Sequence, residues 1–370
     1  MMDAFDRQMM RRALSLARRG AGRTAPNPAV GCVIVKGGVI VGEGWHRKAG
    51  TPHAEIHALR QAGEKAQGAD VFVTLEPCSH HGRTPPCADA LIEAGVAQVV
   101  AGMVDPNPLV SGRGLIRLSN AGIRVESGVL EEECRRLNES FVKHVTTGRP
   151  FVILKSAMTL DGKIATSNGD SKWITDDISR AYVHKLRGMV DAVMVGSGTA
   201  VADDPLLTCR VGRGKNPVRI IVDSTLRVPL HAQVVIDRTA HTIVATTPAA
   251  DETKAAALRA AGVEILTCRG NVRGIDLSDM LALLGERGIQ SILLEGGGTL
   301  AGEVLRRRLI DKFLFFYAPK LVGGTGKGPF AGEGVEKIAE AVQLDRVTVR
   351  RFGTDILVEG YPEGTCLPVS

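Results

Sequence analysis

Pro52-His53-Ala54-Glu55 and, further along the chain, Glu76-Pro77-Cys78 with Cys87 beyond it, offer one imidazole and two thiols to a common task. That is the ligand set of a catalytic zinc site that keeps its fourth position open. Water in that position becomes acidic enough to supply hydroxide near neutral pH. Glu55 sits beside the ligand histidine, where a carboxyl can shuttle a proton between that water and a departing amine. Eight residues, Ser79-His80-His81-Gly82-Arg83-Thr84-Pro85-Pro86, separate the two thiols. A two-residue gap would hold both on one helical turn; this one needs a loop. A structural zinc knuckle is the competing reading. It calls for a fourth ligand, which His80 or His81 offers, and for no adjacent acid, so Glu55 weighs against it.

His-x-Glu followed by Pro-Cys and a second Cys resembles the signature of the zinc deaminases that act on nucleobases. Those usually carry the two-residue gap. The longer loop is similar to one branch, the pyrimidine deaminases of riboflavin biosynthesis. The resemblance implies a substrate-binding role for Asn27, although an Asn between Pro26 and Pro28 also reads as a turn former. It likens His46, Lys48 and Gly50 to a substrate-entry loop. It gives Arg83 a phosphate or substrate contact with His80 beside it, and leaves His81 as an exposed loop side chain.

The whole chain sets limits on these readings. At 370 residues two domains of ordinary size are expected. Apolar content of 44% and charged content of 23% are those of a globular protein. No apolar run is long enough to cross a bilayer, and Met1–Arg19 lacks the apolar stretch of a secretory signal. Phe5, Met9, Ala13, Leu16 and Ala17 there fall on one face of a helix. Seven cysteines without an export signal point to a reducing cytoplasm, with Cys32, Cys134, Cys209, Cys268 and Cys366 as packing residues. A net charge of +6 is spread along the chain, which suits a phosphorylated substrate and an anionic cofactor. Nucleic acid would call for basic clusters interleaved with aromatics, and aromatic content is only 4%.

Strands are expected over Ala29–Val35 and Val39–Trp45 about a Gly37-Gly38 turn, then over Asp70–Leu75, Gln98–Met103 and Gly122–Gly128. Helices are expected over Ala54–Ala66, Ala88–Ala94 and Leu130–Val145. This alternation makes a three-layer α/β domain ending near Thr147. Beyond Pro150, Phe151–Ala157 reads as a strand interrupted by Lys155, a costly residue in a buried run unless it faces a cleft. Asp176 opens a helix through Arg187. Val190–Val195 empties into Gly196-Ser197-Gly198-Thr199, and Ser291–Leu294 into Glu295-Gly296-Gly297-Gly298-Thr299. Small residues at a strand-to-helix turn let the backbone approach a phosphate, and two such turns in one domain favour a nucleotide cofactor. No Gly-x-Gly-x-x-Gly stands in the ordinary dinucleotide position.

Lys155, Asp161-Gly162-Lys163, Gly169-Asp170-Ser171-Lys172-Trp173-Ile174-Thr175, Gly198-Thr199, Ala202-Asp203-Asp204-Pro205-Leu206-Leu207-Thr208 and Glu295-Gly296-Gly297 resemble the riboflavin-biosynthesis reductases, which are similar in fold to dihydrofolate reductase. With both halves in order, the chain is identified as a member of the bifunctional deaminase–reductase family, diaminohydroxyphosphoribosylaminopyrimidine deaminase / 5-amino-6-(5-phosphoribosylamino)uracil reductase. The resemblance implies a cytidine-deaminase-like three-layer α/β/α domain over residues 1–147 and a dihydrofolate-reductase-like α/β domain over 150–366. It implies one Zn2+ on His53, Cys78 and Cys87 with Glu55 as proton shuttle, and NADPH in the second domain with Lys155 as proton donor or polarising cation. It places Ala157, Trp173, Thr199, Asp203, Thr225, Gly297, Gly298 and Thr299 at the cofactor, and Ser171, Arg187, Leu207, Arg210 and Glu295 at the substrate. The expected substrate is a phosphoribosylated pyrimidine and the expected assembly a homo-oligomer, dimer or higher. The rival enzyme reading is a tRNA-type base deaminase with an accessory C-terminal domain.

Overall fold

The computed structural model describes residues 4–79, 85–108, 110–212 and 214–364. His80, His81, Arg83 and Cys366 lie outside the described residues. The chain forms two compact units that part between Gly148 and Arg149.

In the first unit, helix α1 (Ala4–Ala17) buries Met9, Met10, Ala13, Leu14, Leu16 and Ala17. Strands β1 (Gly31–Lys36) and β2 (Val39–Trp45) form a hairpin about Gly37 and Gly38, whose positive φ values of 57° and 79° a two-residue turn requires. Strands β3 (Asp70–Val73), β4 (Gln98–Ala101) and β5 (Arg124–Ser127) complete a five-stranded sheet in the order β2-β1-β3-β4-β5. β1 is antiparallel to both neighbours, whereas β3, β4 and β5 run parallel. Helices α2 (Ala54–Ala62) and α3 (Cys87–Glu93) bury small alanines against the sheet, in a core with Ile34, Val71, Leu91 and Val99. Helix α4 (Arg113–Asn120) occupies a segment the sequence leaves as connection. The single helix expected over 130–145 is two, α5 (Glu131–Leu137) and α6 (Glu139–Thr147). The break is at Asn138, whose amide accepts from the Ala29 N–H at 2.8 Å and donates to the Ala29 carbonyl at 3.0 Å.

The second unit is built on β6 (Phe151–Thr159), β7 (Ala192–Gly196), β8 (Val218–Val222), β9 (Thr242–Thr246), β10 (Glu264–Thr267), β13 (Ser291–Leu294), β14 (Lys312–Ala318), β15 (Leu344–Phe352) and β16 (Asp355–Pro362), with a small hairpin of β11 (Gly270–Asn271) and β12 (Gly274–Ile275) outside the main sheet. Its nine strands are ordered β10-β9-β8-β7-β13-β6-β14-β16-β15. From β10 to β14 neighbours run parallel, and β16 and β15 close the sheet antiparallel. Parallel strands need crossover segments that cover both faces, so these strands are mostly apolar, with Lys155 of β6 and Arg219 of β8 among the charged exceptions. Helix α7 (Asp177–Arg187) is capped by the Asp176 side chain, which accepts from the Ser179 N–H at 2.8 Å. Helices α8 (Ser197–Asp203) and α9 (Gly298–Arg306) follow β7 and β13. Their preceding turns therefore open at the carboxyl ends of adjacent parallel strands, where open α/β sheets bind ligands.

Candidate active sites

In the first unit, His53 is the residue before α2, Cys78 follows β3, and Cys87 is the first residue of α3. Sheet pairing thus carries three distant positions to one place. Their ligand atoms all lie within 4.8 Å of one another. His53 Nδ1 is 3.6 Å from Cys78 Sγ and 3.3 Å from Cys87 Sγ, and the Cys87 N–H donates to Cys78 Sγ at 3.3 Å. The bond with Cys87, helped by His53, holds the Cys78 thiol down at about 4. Cys87 is pushed up, first by that same bond and then by burial. A borderline-soft dication is the natural replacement for the proton such a pair shares.

Glu55 is 3% exposed, and its Oε2 is buried without a hydrogen-bond partner. Burial above all, with the nearby Cys78 thiolate second, pushes its carboxyl up to about 7. An orphaned carboxyl oxygen beside a three-ligand N/S set is what a fourth-position water would satisfy. The residues present fit a catalytic zinc site.

Asn27 and His46 stand at the same cleft, a cavity of about 510 Å³ also lined by His53, Glu55, Cys78, Asp105 and Asn107. Asn27 Nδ2 lies 3.1 Å from His46 Nε2, and His46 Nδ1 3.3 Å from the Pro52 carbonyl. This pattern makes the ring neutral, with its proton on Nδ1 and Nε2 accepting from the Asn27 amide. Burial lowers the His46 pKa accordingly. Glu76 is a site residue that sequence motifs pass over. Its Oε2 accepts from the N–H groups of Asp105 at 3.0 Å and Gly112 at 2.9 Å, and its Oε1 from Gly114 at 2.8 Å. One side chain, two positions before Cys78, thereby pins the cleft wall that carries Asp105 and Asn107.

In the second unit, Lys155 and Ala157 are the partly open positions of β6 among buried neighbours, and alternation puts them on one face. Arg187 at the end of α7 makes a two-pronged ion pair with Glu295, Nε at 2.8 Å and Nη2 at 3.0 Å. Burial pushes the Glu295 carboxyl up, but Arg187 and then Lys155 more than offset it, and the group lies below its ordinary value. Burial lowers the Lys155 ammonium, which Glu295 partly restores. Leu207 is buried with φ of 53°. Arg210 is exposed and, with Arg187, adds to the burial that lowers His184.

The two small-residue turns meet. The Gly297 N–H donates to Thr199 Oγ1 at 3.0 Å, and Gly296, at φ of 110°, passes so close that a Cβ there would lie 2.7 Å from that oxygen. Any other residue at 296 would part the two turns. Thr199 and Gly297 thus tie the two strand-to-helix turns together, and Gly298 is the first residue of the helix that follows the second turn. Asp203, Thr225 and Thr299 are exposed. Trp173 is 65% exposed, with Arg180 stacked 4.6 Å over its ring and Lys320 donating to its carbonyl at 2.6 Å. Ser171 is half-buried on the same loop.

Residues 150–358 match the family described as RibD C-terminal domain, and residues 3–103 the cytidine and deoxycytidylate deaminase zinc-binding region. The riboflavin biosynthesis protein RibD of Actinobacillus pleuropneumoniae is 48% identical over 355 residues, covering 96% of this chain and 94% of that one. The chain belongs to the RibD family. The RibD of Escherichia coli strain K12 is 46% identical, covering 95% of this chain and 98% of its own. Among solved structures, Acinetobacter baumannii RibD superposes with a TM-score of 0.87 at 41% identity, over 97% of this chain and 99% of that one. The Thermotoga maritima diaminohydroxyphosphoribosylaminopyrimidine deaminase/5-amino-6-(5-phosphoribosylamino)uracil reductase gives 0.85 at 41%, with the same coverage of 97% and 99%. Like the rest of the RibD family, the chain is an enzyme of riboflavin biosynthesis that joins a zinc-binding deaminase to a reductase. Matches along the whole length displace the rival of a tRNA deaminase with an accessory domain. No helix among the described residues is long and apolar enough to cross a membrane.

Proposed function

We propose that the chain performs two successive steps on one phosphorylated pyrimidine. Residues 1–147 deaminate 2,5-diamino-6-ribosylamino-4(3H)-pyrimidinone 5′-phosphate by hydrolysis. Residues 150–366 then reduce the ribosyl group of 5-amino-6-(5-phosphoribosylamino)uracil to ribityl. The observation that carries this reading is the convergence of His53, Cys78 and Cys87 within 4.8 Å beside the orphaned carboxyl oxygen of Glu55.

His53, Cys78 and Cys87 would hold a zinc ion, which would supply the Lewis acidity that makes an attacking water acidic near neutral pH. Glu55 takes a proton from the water as its oxygen bonds to C2 of the pyrimidine, and returns a proton to the departing ammonia. Held near neutrality by burial, at about 7, its carboxyl can both accept and give. Asn27, its amide oriented by neutral His46, holds the ring. The family resemblance assigns His80 and Arg83, outside the described residues, a substrate contact.

In the second step, NADPH when bound would supply the hydride for C1′ of the ring-opened imine. Thr199, Gly297 and Gly298 seat the pyrophosphate, while Ala157, Trp173, Asp203, Thr225 and Thr299 complete the cofactor contacts. Lys155, its charge supported by Glu295, polarises the imine nitrogen or protonates it. Ser171 and Leu207 would flank the substrate, and Arg210 with Arg187 would hold the ribose phosphate by charge-assisted bonds. Buried free thiols at Cys32, Cys134 and Cys268 suit a reducing cytoplasm, and the family resemblance favours a homo-oligomer. Metal analysis of purified protein and of Cys78→Ser tests the central step: one zinc per chain in the first, with ammonia release, and loss of both in the second. Ammonia release that survives loss of zinc would refute it.

A further inference from the structure

Asn27 and His46 meet at the deaminase cleft at 3.1 Å, and the segments that carry them are held by different means. The sheet holds His46: its N–H donates to the Val30 carbonyl at 2.9 Å, just beyond Gly31 and Trp45, the end pair of the β1–β2 hairpin. Asn27 precedes the sheet, in a turn where its own N–H donates to the Thr24 carbonyl at 2.8 Å. Between Asn27 and β1 lies Ala29, which is buried and outside any strand. Its N–H and carbonyl have no sheet ladder to join and must be satisfied elsewhere.

Asn138 satisfies both. Its amide accepts from the Ala29 N–H at 2.8 Å and donates to the Ala29 carbonyl at 3.0 Å, so one side chain does what a neighbouring strand would do. A primary amide carries both the acceptor and the donor that this requires. Asn138 forgoes another use in doing so. It is the N-cap of α6, where an asparagine ordinarily accepts from an N–H of the first turn, and its side chain makes no such bond. The same helix reaches the cleft, since Phe141, one turn further on, lines the cavity together with Asn27, Pro28 and Glu55. α6 lies far along the chain from His53 and Cys78, yet it walls the cleft those ligands share and grips the segment that carries Asn27.

We propose that Asn138 is a positioning residue for deamination: by clamping Ala29 it fixes the turn that presents Asn27 to the substrate ring. This rests on the reading of Asn27 as a ring contact, and the test separates the two. Ammonia release from the phosphoribosylated diaminopyrimidine is measured on the full chain for Asn27→Ala, Asn138→Ala and the double variant, with zinc content determined for each. Asn27→Ala raises KM about 10-fold and leaves kcat within about twofold. Asn138→Ala keeps its zinc and raises KM by a similar factor, about 10-fold. In the double variant it adds less than about twofold to the loss from Asn27→Ala, because a residue acting through Asn27 has nothing left to position. Asn138→Asp still accepts from the Ala29 N–H and cannot donate to the carbonyl. It shows part of the loss, and it supplies the same cycle where the alanine variant loses its zinc. Losses that multiply in the double variant, an unchanged KM in Asn138→Ala, a fall in kcat alone, or loss of zinc from both Asn138 variants overturns the positioning role while the ring contact of Asn27 stands. An unchanged KM in Asn27→Ala overturns the ring contact and the role built on it together.

Discussion

Arg187 grips both carboxylate oxygens of Glu295, at 2.8 and 3.0 Å, with side-chain exposures of only 13% and 9%. The pair sits beside Lys155, so one carboxylate balances two nearby cations. Glu295→Gln leaves those cations without a counter-charge, and a buried pair broken from one side destabilises by about 3 kcal/mol. Urea unfolding of the variant should show that loss, and NADPH oxidation should fall while ammonia release continues. Because the folded carboxyl lies below its ordinary value, the pair's contribution is present above the usual carboxylate range. It disappears as pH falls through the depressed value.

Lys155→Ala removes the ammonium at the open face of β6. Reduction should be abolished and deamination spared, read as NADPH oxidation and ammonia release in parallel assays. Loss of both would mean that the two activities are not divided between the two halves.

Glu55→Gln keeps the shape of the side chain and removes its proton chemistry. Deamination should drop about 10²- to 10⁴-fold with zinc content unchanged by elemental analysis. A variant that keeps its rate would return the site to a structural zinc reading.

Glu76→Ala releases the Asp105, Gly112 and Gly114 amides, and with them the cleft wall that carries Asn107. Deamination kcat/KM should fall about 10- to 100-fold, mostly through KM, since the proton shuttle is untouched. Glu76→Gln keeps one carbonyl acceptor and should recover part of the loss, which general unfolding of the unit would not permit.

The Ser291–Leu294 strand is legible because it is a local pattern, an apolar run stopped by glycines, whereas His53, Cys78 and Cys87 stand out as candidate ligands by residue type and need the fold to bring them together. What the sequence hid is non-local. Asn138 splits α5 from α6 to satisfy both backbone groups of Ala29, 109 residues away, and nothing near 138 signals that partner. Helix α4 begins after Gly112 in the left-handed region, at φ of 77°, so it lacks the Ser, Thr or Asp that marks a helix start. Glu76 was invisible as an anchor because its partners are backbone amides, which every residue but proline carries. The Arg187–Glu295 pair lay between two residues each expected to meet substrate, and only the folded sheet brings them face to face.

The most direct test supplies purified protein with the phosphoribosylated diaminopyrimidine and NADPH, and follows ammonia and NADPH separately with and without a zinc chelator. Ammonia should appear first and NADPH oxidation should follow it. The chelator should stop both, and adding the deaminated uracil intermediate should restore NADPH oxidation alone. Ammonia release that persists in chelator-treated, zinc-free protein, or NADPH oxidation that precedes deamination, would contradict a zinc deaminase feeding a reductase.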